Sequence, residues 1–107
     1  MTFEERLIFY DSIVALCPNI QRKGKTMPYT SANGHMFSLL NKDGELGFRY
    51  AKADQEAFMK KHNTTILMSH GAVMKGYVLI PESMNDFNEL ASCLIKSLDY
   101  VMSLEPK

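Results

Sequence analysis

The sequence predicts an α+β domain in which an antiparallel β-meander sheet packs against an N-terminal helix and a long C-terminal helix. Three observations lead there. Between Lys25 and Tyr50, three strand-like segments are separated by Ala32-Asn33-Gly34 and Lys42-Asp43-Gly44. Asn-Gly and Asp-Gly supply the positive φ angles that tight hairpins need. Apolar residues recur at helical spacing at both ends of the chain, each time behind a capping sequence.

The first helix opens at Thr2-Phe3-Glu4-Glu5, a capping box in which Thr2 and Glu5 serve each other's backbone amides. Phe3, Leu7, Tyr10, Val14 and Cys17 then form its apolar stripe, widened by Ile13. Pro18 stops it by pushing Cys17 out of the α region. Asn19 to Gly24 is a polar, basic connection. In the second strand, strict alternation puts Met36, Ser38 and Leu40 on one face and His35, Phe37 and Leu39 on the other. Both faces are apolar, so this reads as a central strand, covered by helices on one side and by something else, such as a partner, on the other. In the third strand Leu46, Phe48 and Tyr50 face the core, opposite Glu45, Gly47 and Arg49.

A short helix is predicted from Asp54 to His62, with Asp54 as its cap and Lys60-Lys61-His62 at its negative end. Thr64 to Met68 and Gly76 to Ile80 read as strands, separated at Ser69-His70-Gly71. Ser83 and Asp86 suggest a second capping box before the last helix, whose buried face is Phe87, Leu90, Ala91, Leu94, Leu98 and Val101. Met36, Phe48 and Leu94 are expected in one hydrophobic cluster.

The chain has 107 residues, the size of one domain spanning 1–107, with 12 basic and 12 acidic residues. That balance argues against a dedicated nucleic-acid binder. The charges are unevenly placed, nine basic against four acidic residues from Arg22 to Lys75, and five acidic against one basic from Glu82 to Glu105. Two cysteines, no apolar run of membrane-crossing length and no leader pattern make a cytoplasmic, reduced protein the expectation.

Chemistry-bearing patterns are sparse. His35, His62 and His70 lie on separate elements, away from Cys17 and Cys93, so no metal site or cofactor is expected. Cys17 and Cys93 fall on apolar helix faces and read as small core residues. The glycines match neither a dinucleotide fingerprint nor a phosphate loop. Two sets remain as candidates. Tyr29, His35, Arg49 and His70 would form the pocket of a small-ligand-binding domain or a small enzyme if they converged, with Tyr29 placed across the first hairpin from His35. Arg22, Lys23 and Lys25 would meet phosphates in a weak nucleic-acid-binding regulator.

Met36-Phe37-Ser38-Leu39-Leu40 after a glycine turn, then Glu45-Leu46-Gly47-Phe48-Arg49, then Lys75-Gly76-Tyr77-Val78-Leu79-Ile80-Pro81-Glu82 before a helix, resembles the N-terminal domain of the TfoX (Sxy) family along nearly the whole chain. The resemblance implies an N-terminal helix, an antiparallel meander and a long C-terminal helix on the sheet. Competence regulators of that family add a second helical domain that this sequence does not contain. The family's glycine pair at the first strand is replaced here by Lys25-Thr26-Met27-Pro28-Tyr29. The expected function is accordingly a non-enzymatic protein-interaction or regulatory module. The doubly apolar second strand adds the expectation of self-association, a homodimer foremost.

Overall fold

A computed structural model describes residues 1–69 and 71–107. Among them the chain forms helices α1 (Phe3–Ala15), α2 (Lys52–His62) and α3 (Phe87–Met102). Its strands are β1 (Tyr29–Ala32), β2 (His35–Leu40), β3 (Leu46–Arg49), β4 (Ile66–Ser69) and β5 (Ala72–Ile80). The strands make one antiparallel sheet in the order β1-β2-β3-β5-β4. The predicted α+β class and both long helices are present.

Local chemistry explains the turns. Asn33 and Gly34 have φ of 57° and 79°, the paired positive angles of a two-residue hairpin between β1 and β2. Asn33 also donates through Nδ2 to the carbonyls of Val101 and Leu104, both at 2.9 Å, and so satisfies the last turn of α3. The β2–β3 turn is built around buried Asn41. Its Oδ1 accepts from the amides of Asp43 and Glu45 at 3.0 and 2.9 Å, while Gly44 takes φ of 80°. An asparagine in this place mimics a backbone turn.

Both helix starts after the first differ from expectation. Thr2 and Glu5 do form the capping box of α1. α2, however, begins at Lys52 behind Ala51 with no side-chain cap, because β3 runs straight into it. Asp54 therefore sits inside the first turn, where its charge suits the positive end of the helix. For α3 the cap is Asp86 itself, accepting from the amides of Asn88 and Glu89, and Ser83 lies outside the helix.

The faces of β2 are the larger correction. Thr30 pairs with Ser38 but Ser31 pairs with Met36, so β2 carries one extra residue. This bulge turns Phe37 to the helix side along with Ser38 and Leu40, and leaves Met36 with Leu39 on the opposite face. Phe48 and Leu94 do share the main core, with Tyr10, Ile13, Val78 and Leu90; Met36 does not. On the helix side, the hydroxyls of Tyr10, Ser38 and Thr30 form a buried hydrogen-bonded chain. Arg6 is also buried there, 1% exposed, donating to the Ile80 carbonyl at 2.9 Å and lying 4.5 Å from the centre of the Phe9 ring.

What covers the second face is the chain itself. Ile66 pairs with Val78 but Met68 with Val73, so the part of β5 around Gly76 bulges out of the ladder, with Gly76 at φ of 95°. β5 thus starts at Ala72, and Gly76 is its bend and not its first residue. The bend folds β4 back over the sheet. Leu67 lies over Gly47, so close that a Cβ there would stand 2.5 Å from the leucine Cδ2. Leu67 joins Leu39 and Tyr77 in a second buried cluster, flanked by Tyr29, Met36, Met74 and Leu79. The Tyr77 hydroxyl donates to the Met36 carbonyl at 2.9 Å and closes this layer. No outside partner is required to bury the second face of β2.

Candidate functional site

The bend at Gly76 and the end of β3 shape one concavity of about 430 Å³, within the size range of small-molecule sites. Arg49 from the last position of β3, Lys52 and Gln55 from the first turn of α2, Lys75 from the β5 bulge and Tyr100 from α3 line it, and no carboxylate does. They come from three stretches of chain, Arg49 to Gln55, the β5 bulge and α3. Arg49 extends past Gly76, where a Cβ would lie 3.7 Å from its Cγ and Nε, and its guanidinium carbon is 5.7 Å from the centre of the Tyr100 ring. Gln55 is held by donating to the Tyr50 carbonyl at 2.7 Å.

Three cations and no carboxylate share this cleft. Among the described residues, carboxylates within 4.0 Å partner Arg22, Lys96 and the N-terminus, but not Arg49, Lys52 or Lys75. An arginine fork and two ammonium groups converging on one hollow can bind an oxyanion through charge-assisted hydrogen bonds.

Beside it, between α2 and α3, lies a smaller hollow of about 190 Å³ that includes Tyr50, Phe58, His62 and Cys93. Here Asp54 and Lys96 are paired at 3.3 Å and Phe58 stacks on His62 at 4.5 Å. The Tyr50 hydroxyl donates to the Cys93 carbonyl at 2.8 Å. Burial pushes the Cys93 thiol above its ordinary pKa, so it is not poised as a thiolate. Cys17 is buried, its thiol within 3.4 Å of the Ile13 carbonyl, and burial raises its pKa too.

The residues singled out from sequence separate. Tyr29 pairs with Leu39, not His35, and packs on the second cluster. His35 pairs with Ala32, and its Nε2 meets the Glu105 carbonyl at 2.8 Å, which requires the proton on that nitrogen. Tyr29 and His35 do not line the cleft with Arg49, and His70 lies outside the described residues. The expected four-residue pocket is therefore not assembled by Tyr29, His35 and Arg49. Of the basic set, Arg22 is engaged: Nε and Nη2 donate to Asp11 at 2.7 and 3.0 Å, and Nη1 to the Gly24 carbonyl at 2.9 Å. The hydrogen bonds to Asp11 raise its pKa further. Lys23 and Lys25 remain exposed on the loop outside β1.

Among the described residues no three His, Cys, Asp or Glu side chains are grouped to hold a metal ion. No described helix is long and apolar enough to cross a membrane. In comparisons with protein-family models, curated proteins and solved structures, nothing matches the chain.

Proposed function

We propose that this chain is a non-enzymatic protein-interaction or regulatory module of the TfoX N-terminal kind, self-associating as a homodimer in the reducing cytoplasm. The placement of the resembling segments supports the family reading: Met36 to Leu40 lies in the interior strand β2, Glu45 to Arg49 carries the central strand β3, and Gly76 to Ile80 holds the part of β5 that pairs with β3. The non-enzymatic reading rests on how reactive groups are engaged. The Tyr10, Ser38 and Thr30 hydroxyls bond one another, His35 bonds the C-terminal segment, and both cysteines are free thiols with pKa raised by burial.

The observation that carries self-association is the outward pair Met68 and Val73, 46% and 61% exposed and directly opposite each other on the β4–β5 hairpin. An apolar pair on an edge hairpin favours pairing with an identical copy across a two-fold axis. Light scattering at micromolar concentration tests it. The parent chain should give about twice its mass of 12.2 kDa, and Val73→Lys should return it to one mass. A parent that scatters as a single chain contradicts the proposal.

A further inference from the structure

We infer that the cleft between the end of β3, the first turn of α2 and the β5 bulge is a binding site for a small phosphate-bearing ligand, with Arg49 as its principal contact and Lys52 and Lys75 closing around it. The chain as a whole is balanced at 12 basic and 12 acidic residues, yet the lining of this one hollow contains three cations and no acid. Like charges gathered in a concavity repel one another, and the low-dielectric walls strengthen that repulsion. A bound dianion reverses its sign. Two other cations are answered locally, Arg22 by Asp11 and Lys96 by Asp54, whereas the three in this hollow have no carboxylate within 4.0 Å among the described residues. Asp54 is only two residues beyond Lys52 but is turned into the neighbouring hollow, where it meets Lys96.

Arg49 is also pre-oriented. It passes over Gly76, where even an added Cβ would stand in ordinary contact with its Cγ and Nε at 3.7 Å, and its guanidinium carbon lies 5.7 Å from the centre of the Tyr100 ring. A guanidinium fixed this way presents its fork to a phosphate with little further loss of rotamer freedom. Lys75 reaches the same hollow because the ladder between β4 and β5 breaks at this point. The volume of about 430 Å³ suits a compact ligand. A nucleic-acid track would need cations in a continuous line, whereas the other basic loop is carried beyond β1, with β2 standing between β1 and β3.

The test is a titration of the intact chain with pyrophosphate, followed by amide chemical shifts and calorimetry at constant ionic strength. Saturable shifts should concentrate at residues 49–55, 75–76 and 100. Arg49→Gln should weaken binding at least tenfold, and Lys75→Gln, at an exposed position, several-fold, with unchanged thermal unfolding. A second arm uses a short duplex oligonucleotide. Tighter binding of the duplex than of pyrophosphate, with steep loss of affinity as salt rises, overturns the small-ligand assignment. So does pyrophosphate binding that is absent, or that survives both substitutions unchanged. This site does not depend on the oligomeric state, so a monomeric chain that binds pyrophosphate separates the two proposals.

Discussion

Replacing Leu67 by alanine probes whether the β4–β5 hairpin covers the second face of the sheet. The side chain is fully buried against Gly47, Leu39 and Tyr77. Emptying such a position costs about 2–5 kcal/mol, the spread reflecting how far the surroundings collapse. The second cluster is small and lies under an edge strand that can settle inward, which places the cost in the lower half, about 2–3 kcal/mol. That is a large fraction of the roughly 5–15 kcal/mol that holds an ordinary domain together. The neighbouring residue supplies the control. Within one chain Met68 points outward and is 46% exposed, so at protein concentrations low enough to keep the chain monomeric Met68→Ala should change stability by no more than about 0.5 kcal/mol. Urea unfolding of the two variants measures the difference, with the m-value unchanged if both unfold from the same native surface. In a thermal scan Leu67→Ala should melt roughly 10–20 °C lower than the parent. Equal costs for the two substitutions, or a larger one for Met68, would refute the folded-over hairpin.

Other outcomes follow from the same structure. Asn33→Gly keeps the positive-φ turn but removes both donations to the end of α3, so it should cost about 1–2 kcal/mol in chemical denaturation. Asp86→Ala should cost about 1 kcal/mol and Ser83→Ala almost nothing, since only Asp86 caps α3. Hydrogen bonds from Thr2, the backbone amide first, hold the exposed Glu5 carboxylate below its ordinary pKa of 4.5. Its contribution to stability is therefore present above that value and is lost as pH falls through the lowered one; Glu5→Gln should flatten the acid limb of a stability–pH profile. Burial raises the phenols of Tyr10 and Tyr50 well above 10.0. Their contribution is complete below that pH and declines as it is passed, because the unfolded chain ionises first; alkaline unfolding followed by tyrosine absorbance should start there, and Tyr50→Phe should blunt it.

The parts of this fold that local chemistry decides could be read from the sequence. Asn33-Gly34 and Asp43-Gly44 mark hairpins because few other pairs accept those angles, and the stripe from Leu90 to Val101 marks a helix with one buried side. What escaped was tertiary. Strict alternation assigns Met36 and Phe37 to the wrong faces because one extra residue in β2 shifts the phase, and nothing in His35 to Leu40 announces a bulge. Arg6 occupies a core position at helical spacing from Phe9, Tyr10 and Ile13, but a charged residue is ordinarily assigned to solvent. Gly76 looked like a strand boundary, whereas its φ of 95° lets one strand bend and fold over its own sheet. Arg49 was within reach as a site residue. Its companions Lys52, Lys75 and Tyr100 were not, because they meet only once that bend and the direct passage from β3 into α2 have formed.

The bend at Gly76 both lays Leu67 on the sheet and brings Lys75 to Arg49, so the most direct measurement is the proton contact it creates. A methyl-resolved nuclear Overhauser spectrum of the free chain should show cross-peaks from the Leu67 methyls to the Gly47 α-protons and to Leu39. If those peaks are missing while the Met68 methyl shows them instead, β4 does not fold over β3, and the second layer and the cleft beside it do not exist as described.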